Sequence, residues 1–456
     1  MAFTSVSFLI FFIAVLIIYL VLPGRLRAPF LVAAGLFFLA SYGVYYLVVF
    51  LASTLITYVS GLALEGGRGS AGQGGFVFAA VIIFHVVCFA FFKFNSVGIL
   101  LPVGYSFYIF QAIAYLVDVH EGEIHVERNL LNFALFQGFF PKLIQGPIES
   151  GKNLLPQIHA LPEKNVRDPE RIRRGALLVL WGLCEKLLIA DRIAVPVDAV
   201  YSQYGAFGGV EIVLTTFLYA FQIYIDFAGY TDMARGMAEI LGFDLAVNFR
   251  RPFMADSVQD FWRRWHISLS SWLKKHIYIP LGGSRKGRAR KYFNVMVTFI
   301  VSGIWHGAGF HYILWGALQG ILQTLEDLVH FRNWKLPKAL KNVYAYVMFS
   351  LTMVVFHANS IWDVLGMLKI VFTNFTLRDF NGMELSIFEW VLVAAGILAV
   401  AVKDAANEAG IGFRTLVLKR NAVVRCLIYT AMIAAVVILG VYGSGYDTGG
   451  FMYTQF

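Results

Sequence analysis

Long apolar stretches separated by short polar segments run through the whole chain. A helix that crosses a bilayer needs about 20 mostly apolar residues. The candidate stretches lie near 5–22, 29–64 (long enough for two helices), 76–92, 97–117, 130–148, 172–190, 207–227, 292–310, 311–329, 342–358, 384–402 and 422–441. The pattern therefore predicts an all-α, polytopic integral membrane protein with roughly ten to twelve transmembrane helices, some of them partial or re-entrant. No linker separates two soluble domains, so we expect one membrane-embedded domain over 1–456.

One amphipathic segment, residues 256–283, differs from the apolar stretches around it. Ser257 with Asp260 three residues later predicts a capped helix start. One helical face is apolar and the other polar. The apolar face holds Trp262, Trp265, Leu269, Trp272 and Leu273, and the polar face holds Arg264, Ser268, Ser271 and Lys275. This pattern predicts a helix lying at the membrane surface, with His266 on its apolar side.

A histidine deep inside an apolar stretch follows soon after, at position 306 in VSGIWHGAGFHYILWG (301–316). The preceding loop, 282–291, carries basic residues and is expected in the cytoplasm. At about 1.5 Å per residue, the helix from Lys291 places His306 roughly 22 Å into the bilayer. An ionisable group at that depth indicates a functional site. The alternative is structural, with His306 bonding to a neighbouring helix and Gly303 and Gly307 serving helix packing.

Metal chemistry is not expected. The histidines at 266, 276, 306 and 311 lack partners at i+3 or i+4, and no cysteine or carboxylate cluster accompanies them. The three cysteines, Cys88, Cys184 and Cys426, lie in or beside apolar stretches without ligand spacing. We therefore predict neither a metal site nor a resident cofactor.

Composition and charge support the membrane assignment. Hydrophobic residues make up 59% of the 456 residues and charged ones only 14%, well below the usual quarter of a soluble domain. The net charge of +9 comes from basic clusters in loops, as the positive-inside rule produces, so nucleic acid is not an expected partner. Arg25 and Arg27, placed in the cytoplasm, put the N-terminus outside, and the C-terminus is expected there too.

Several motifs together resemble the membrane-bound O-acyltransferase family. The longest is WRRWHISLSSWLKKHIYIPLGGSRKGRARKYFNVMVTFIVSGIWHGAGFHYILWGALQG (262–320), in which HIYIPLGGSRKG resembles the bacterial branch typified by the alginate O-acetylation membrane protein. LPVGYSFYIFQAIAYLVDV (101–119), FPKLIQGPIES (140–150) and YIDFAGYTDMARGMAEILGFDLAVNFRRPF (224–253) agree with it. The resemblance covers most of 100–320, the signature core. It is weak over 342–441, where FHAN (356–359) departs from an FRA-like run.

The resemblance implies site residues. The family's W-H-G histidine corresponds to His306, and its W-H-x-S-L-S histidine corresponds to His266. A neutral imidazole suits acyl transfer from a thioester, because the acceptor hydroxyl must lose its proton. His306 is therefore the expected base, and His266 is expected to position the donor. Basic side chains of the loop, in addition to their topological role, are candidates for contact with the donor's phosphates: Arg285, Lys286, Arg288 and Lys291.

The resemblance also implies a function and partners. We expect a bacterial cytoplasmic (inner) membrane protein that takes an acetyl group from cytosolic acetyl-CoA for O-acetylation of an extracytoplasmic polysaccharide of the cell envelope. An extracytoplasmic acetyltransferase or acyl-accepting protein is the expected partner. The chain ends YDTGGFMYTQF (446–456), similar to a C-terminal motif of D-alanyl-transfer systems. Tyr453 is accordingly a candidate acyl relay or, alternatively, an aromatic anchor at the membrane interface.

Two other functions stay open at this point. Within the same class, the chain would transfer D-alanine from a carrier-protein thioester. In a different class, a transporter also gives a polytopic chain with intramembrane ionisable residues such as Asp118, Glu185, Asp191 and Asp226. Transporters more often show inverted repeats and paired broken helices, and neither is visible in this sequence.

Overall fold

A computed structural model describes residues 1–66, 73–94 and 100–441, and within these ranges the chain forms helices and no strand. The helices group into two compact units. The first comprises Met1–Val179 and Tyr230–Val247, and the second comprises Leu180–Gly229 and Asn248–Phe456, described as far as Val441. The all-α prediction is confirmed. The expectation of a single domain stays a prediction.

Among its described residues, the first unit contains eight complete α-helices, the start of a ninth and the last part of a long helix from the second unit. The first nine are α1 (Val6–Val21), α2 (Gly24–Ala40), α3 (Val44–Gly66), α4 (Gln73–Phe94), α5 (Tyr105–His120), α6 (Leu130–Gly138), α7 (Phe140–Leu143), α8 (Gly151–His159) and α9 (Pro169–Cys184). The stretch 29–64 does form two helices, as predicted. The stretch 130–148 does not form one span, because the chain turns extended at Phe139 between α6 and α7.

Pro141 explains that break. In a continuous helix the carbonyl of Gln137 would accept a hydrogen bond from residue 141, but proline has no N–H to donate. The buried Lys142 donates a hydrogen bond to this carbonyl instead. Its Nζ lies 3.2 Å from the Gln137 carbonyl oxygen and 2.5 Å from Gln111 Oε1. The break is therefore stabilised by a side chain that replaces the missing backbone donor.

The second unit holds the remaining helices. They are α10 (Asp191–Ser202), α11 (Gly209–Leu241, whose last residues belong to the first unit), α12 (Val258–Arg264), α13 (Ile267–Leu273), α14 (Arg288–His306), α15 (Phe310–Leu328), α16 (Lys338–His357), α17 (Ile361–Thr373), α18 (Ile387–Glu408), α19 (Phe413–Leu418) and α20 (Ala422–Leu439). A π-helical turn over Glu185–Ala190 joins α9 to α10. The boundaries of α14, α15, α16 and α20 follow the predicted stretches closely.

The prediction of one amphipathic helix over 256–283 is wrong. The capped start is confirmed, since Ser257 accepts a hydrogen bond from the Asp260 backbone at 3.1 Å, but the helix ends at Arg264 and restarts at Ile267. His266 lies between the two helices in the left-handed backbone region, with φ of 40°. The buried Asn248 holds this turn, because its carbonyl accepts from Ile267 and its side chain accepts from Ser268.

Helices α14 and α15 form a tight antiparallel hairpin. At its base, Lys291 contacts Asp327 at 2.7 Å. At about 1.5 Å per residue, α14 carries His306 some 27 Å from its first residue. Glycine is required at Gly303, because a Cβ there would lie 2.2 Å from the Tyr312 carbonyl oxygen. The hairpin thus fixes His306 at the end opposite Lys291.

Membrane-spanning potential is present in both units. Among the described residues, five helices are long and apolar enough to cross a bilayer: Val44–Glu65, Gly75–Phe94, Gly209–Leu241, Lys338–His357 and Ala422–Leu439. Val6–Val21 is a shorter apolar helix. The multi-pass helical prediction is confirmed, while the number of crossings, ten to twelve, stays a prediction.

Candidate active site

His306 is buried among aromatic rings. As the last residue of α14 it is only 3% exposed. Its ring meets Trp315 of α15 edge-on at 5.1 Å between centroids and Phe356 of α16 at 5.2 Å. Side chains of three helices therefore enclose one imidazole. A purely structural apolar core has no need of an ionisable ring, so its burial indicates a functional site.

His266 is also buried, with 1% of its surface exposed, and the side chains in ring contact with it are aromatic. Its ring lies edge-on to Phe227 at 4.7 Å and 6.1 Å from Trp305, which is in turn 4.8 Å from His306. Neither ring nitrogen of His266 has a hydrogen-bond partner within the described chain. A buried polar group without a partner is costly, so this ring is suited to bonding a bound molecule.

A cavity of about 570 Å³ lies beside these residues, between α12, α13, α14 and α15. The residues of α14 that line it occupy one helical face, namely Lys291, Val295, Thr298, Phe299 and Ser302. Ser302 precedes His306 by one helical turn on that face. The cavity therefore extends from the basic base of the hairpin towards the catalytic candidate, and its size is that of a small-molecule site.

The cations along the cavity differ in part from those predicted. Of the four predicted donor contacts, Lys291 lines the cavity and is paired with Asp327, whereas Arg285, Lys286 and Arg288 are exposed and do not line it. Their role stays a prediction. Sequence reasoning missed two exposed side chains in the cavity wall, Arg263 and Lys274, which have no hydrogen-bond or ion-pair partner in the part of the chain described.

Polar residues of α15 hold the cavity walls together. Gln319 accepts a hydrogen bond from the Trp262 indole at 3.1 Å and donates one to Thr352 at 2.7 Å. Glu326 accepts from the backbone of Val258 at 2.7 Å at the start of α12. A sequence signal for them existed, because Gln319, Gln323 and Glu326 recur at i, i+4 and i+7 within an apolar stretch.

The remaining site predictions are not addressed by these contacts. Tyr453 lies outside the described residues, and its relay role stays a prediction. Among the residues that the structure describes, no three histidine, cysteine or acidic side chains come together as a metal site. The absence of a metal and of a cofactor stays a prediction as well.

The second unit combines a buried imidazole with a cavity that is lined by cations and extends towards it. In a multi-pass helical protein, these features are typical of a membrane enzyme. The sequence pattern of MBOAT, the membrane-bound O-acyltransferase family, matches residues 124–362, which include His266 and His306. The chain belongs to the membrane-bound O-acyltransferase family, and it is an O-acyltransferase. Of the two classes that the sequence left open, the enzyme is therefore confirmed over the transporter.

Curated relatives extend the similarity over most of the chain. The protein named Probable alginate O-acetylase AlgI of Pseudomonas putida is 31% identical over 427 residues, covering 88% of this chain and 87% of the relative. A peptidoglycan O-acetyltransferase of Helicobacter pylori is 31% identical over 402 residues, covering 77% and 76%. A teichoic acid D-alanyltransferase of Streptococcus thermophilus is 25% identical over 236 residues, covering 49% and 56%.

Proposed function

We propose that the protein takes an acetyl group from cytosolic acetyl-CoA and passes it through the membrane for O-acetylation of a cell-envelope polysaccharide. An extracytoplasmic partner protein completes the transfer. The cavity carries this proposal, because it follows one face of α14 from Lys291 to Ser302, one turn before His306. A donor held there would place its thioester close to the imidazole while its phosphates stay near the basic end.

The chemistry at His306 balances without a cofactor. The imidazole takes the proton of the acceptor hydroxyl as its oxygen attacks the thioester carbonyl carbon. The new C–O ester bond forms, the C–S bond breaks, and the imidazolium returns the proton to the leaving thiolate. In this scheme His266 uses an unpartnered ring nitrogen to donate a hydrogen bond to the carbonyl oxygen, where negative charge develops.

The donor's chemistry separates this proposal from D-alanyl transfer. The O-acetylating relatives match most of the chain, whereas the D-alanyltransferase of Streptococcus thermophilus matches about half of it, at 25% identity. The cavity volume of about 570 Å³ suits a free thioester of coenzyme size. Two unpaired cations, Arg263 and Lys274, offer phosphate contacts in its wall.

Acetyl transfer without a carrier protein tests the donor directly. Purified full-length protein in proteoliposomes, given radiolabelled acetyl-CoA and a hydroxyl acceptor, is expected to form a labelled ester and release free CoA. Labelling that requires an aminoacylated carrier protein would favour the D-alanyl alternative and overturn acetyl-CoA as the donor.

Removing the two unpaired cations should weaken donor binding. With Arg263→Gln and Lys274→Gln together, we expect the KM for acetyl-CoA to rise by about tenfold or more, because charge-assisted phosphate contacts are lost. The salt dependence of KM should also become shallower. As a matched control, Lys335→Gln with Lys419→Gln removes the same charge from exposed positions outside the cavity wall. Equal effects of the two pairs would contradict a donor site at the cavity.

The direction of transfer depends on the side that the basic loop faces. In a background where Cys88, Cys184 and the exposed Cys426 are replaced by serine, we expect Ala289→Cys to be protected from an impermeant thiol reagent applied to cells from outside. Gly449→Cys should react, since the tail is proposed to be extracytoplasmic. The opposite pattern would place the cavity on the wrong side for cytosolic acetyl-CoA.

A further inference from the structure

A buried hydroxyl in the cavity wall has no partner within the described chain. Ser302 is 1% exposed, and of the α14 residues that line the cavity it lies nearest to His306 in the chain. A serine inside a helix often donates its hydroxyl to the carbonyl four residues earlier. The Ser302 hydroxyl makes neither that bond to Thr298 nor any other among the described residues. A buried hydroxyl left unpaired costs free energy, so a molecule that occupies the cavity is expected to bond to it.

Thr298, one turn earlier on the same face of α14, shows the ordinary arrangement. It also lines the cavity, but its Oγ1 donates a hydrogen bond to the Asn294 carbonyl at 2.7 Å. The helix itself therefore satisfies this hydroxyl. Both residues line the same cavity, yet only Ser302 has a hydroxyl proton left for a ligand.

Apolar residues of α13 and α14 line the same cavity, namely Ile267, Leu269, Leu273, Val295 and Phe299. An apolar wall with a few polar groups suits a ligand in which methylene groups alternate with single polar groups. The pantetheine arm of coenzyme A has this composition, because short runs of methylene groups separate its two amides. Each amide that enters an apolar part of the cavity needs a hydrogen-bond partner in the wall.

The spacing between Ser302 and His306 matches the end of that arm. The two residues are one helical turn apart, a rise of about 6 Å over four positions. In acetyl-CoA, four bonds separate the thioester carbon from the nitrogen of the nearest amide, which is about 5 Å in an extended chain. A thioester carbon beside the His306 imidazole therefore places this amide at the level of Ser302.

We infer that the Ser302 hydroxyl forms a hydrogen bond with the pantetheine amide next to the thioester, and that this bond sets how far the donor reaches towards His306. A hydroxyl both donates and accepts, so it meets either the carbonyl or the N–H of the amide. Ser302 is in this view a donor-binding residue, and His306 keeps the role of base. The inference rests on the proposed function for its donor, and it adds the contact that fixes the donor's depth.

Two CoA derivatives that cannot transfer an acyl group test this contact by binding alone. S-ethyl-CoA has the amide next to its sulfur, and its analogue carries two methylene groups in place of that amide. Calorimetry on the detergent-purified full chain gives the ratio of the two affinities. We expect Ser302→Ala to lower the preference for the amide by about fivefold or more, because the buried amide loses its partner.

Thr298→Val is the matched control. It removes a hydroxyl from the same face of α14, but one that already donates to the Asn294 carbonyl, so the ratio of affinities should not change. Ser302→Ala should also keep the melting temperature of the unaltered protein, because its hydroxyl has no hydrogen bond within the described chain to lose. A role in packing alone would change both affinities in proportion and leave their ratio constant.

The outcomes separate this contact from the proposed function. An unchanged ratio in Ser302→Ala, an equal fall in Thr298→Val, or no binding of S-ethyl-CoA by the unaltered protein overturns the contact. If acetyl-CoA supports transfer while the ratio stays unchanged, only the contact is overturned and the proposed donor stands. If the ratio falls as expected but the unaltered protein transfers no acetyl group from acetyl-CoA, the contact is supported and the proposed transfer is overturned.

Discussion

Replacing His306 with alanine is expected to lower acyl transfer by roughly 100- to 10,000-fold, the range over which a positioned general base accelerates proton transfer. The reason is local. His306 is a buried imidazole one helical turn beyond Ser302, the last residue of α14 that lines the cavity, and alanine offers no group that accepts the acceptor's proton. The measurement is the rate of labelled ester formation from acetyl-CoA at saturating donor, with the amount of folded protein checked by size-exclusion chromatography.

His311→Ala is the matched control for this experiment. His311 lies five positions further along, is half-buried, and its ring packs on Tyr312 rather than on His306. We expect this variant to keep most of the activity. A His306→Ala protein that is folded and retains more than about a tenth of the transfer rate would remove His306 from the role of base.

The second large effect is expected from Gly303→Ala. The added Cβ would lie 2.2 Å from the Tyr312 carbonyl oxygen and 2.9 Å from its carbon. Both atoms are backbone, so no flexible side chain can move aside and the α14–α15 hairpin must separate. Overpacking of this kind costs about 3 kcal/mol and sometimes more. We expect a markedly lower melting temperature in detergent and, because His306 is less than one turn away, loss of transfer.

Gly205→Ala provides the comparison for that prediction. No heavy atom lies within 4 Å of a Cβ added at Gly205, so this change should leave both the melting temperature and the activity intact. If Gly303→Ala melted at the same temperature as the Gly205→Ala protein, the close packing of the hairpin would be contradicted.

Hydropathy predicted the long apolar helices, because the burial of a helix in lipid or in the protein core depends on its composition over many residues. It could not predict the break at His266, because that break depends on two hydrogen bonds that Asn248 accepts, and Asn248 lies 18 positions earlier in the chain. The break near Phe139 could have been predicted from the sequence, because Pro141 lacks the backbone N–H that a continuous helix needs as a hydrogen-bond donor.

The two candidate histidines were predicted from motifs, and His306 also from its depth in the bilayer, whereas most of the cavity wall was not predicted. Arg263 and Lys274 become neighbours of Lys291 only after α12 and α13 fold back against α14 and α15. The sequence alone does not distinguish basic loop residues that bind a ligand from those that only orient the chain in the membrane. Tertiary contacts between distant segments therefore decide which cations the donor can meet.

The left-handed backbone at His266 changes how a mutation at that position has to be interpreted. A residue with a Cβ and φ of 40° costs on the order of 1–2 kcal/mol, a penalty that glycine escapes and that asparagine tolerates better than most residues. An alanine substitution would thus combine two effects, the loss of the imidazole and the loss of a residue suited to the left-handed turn. Asparagine is the more informative replacement, because it preserves the turn and tests the ring alone.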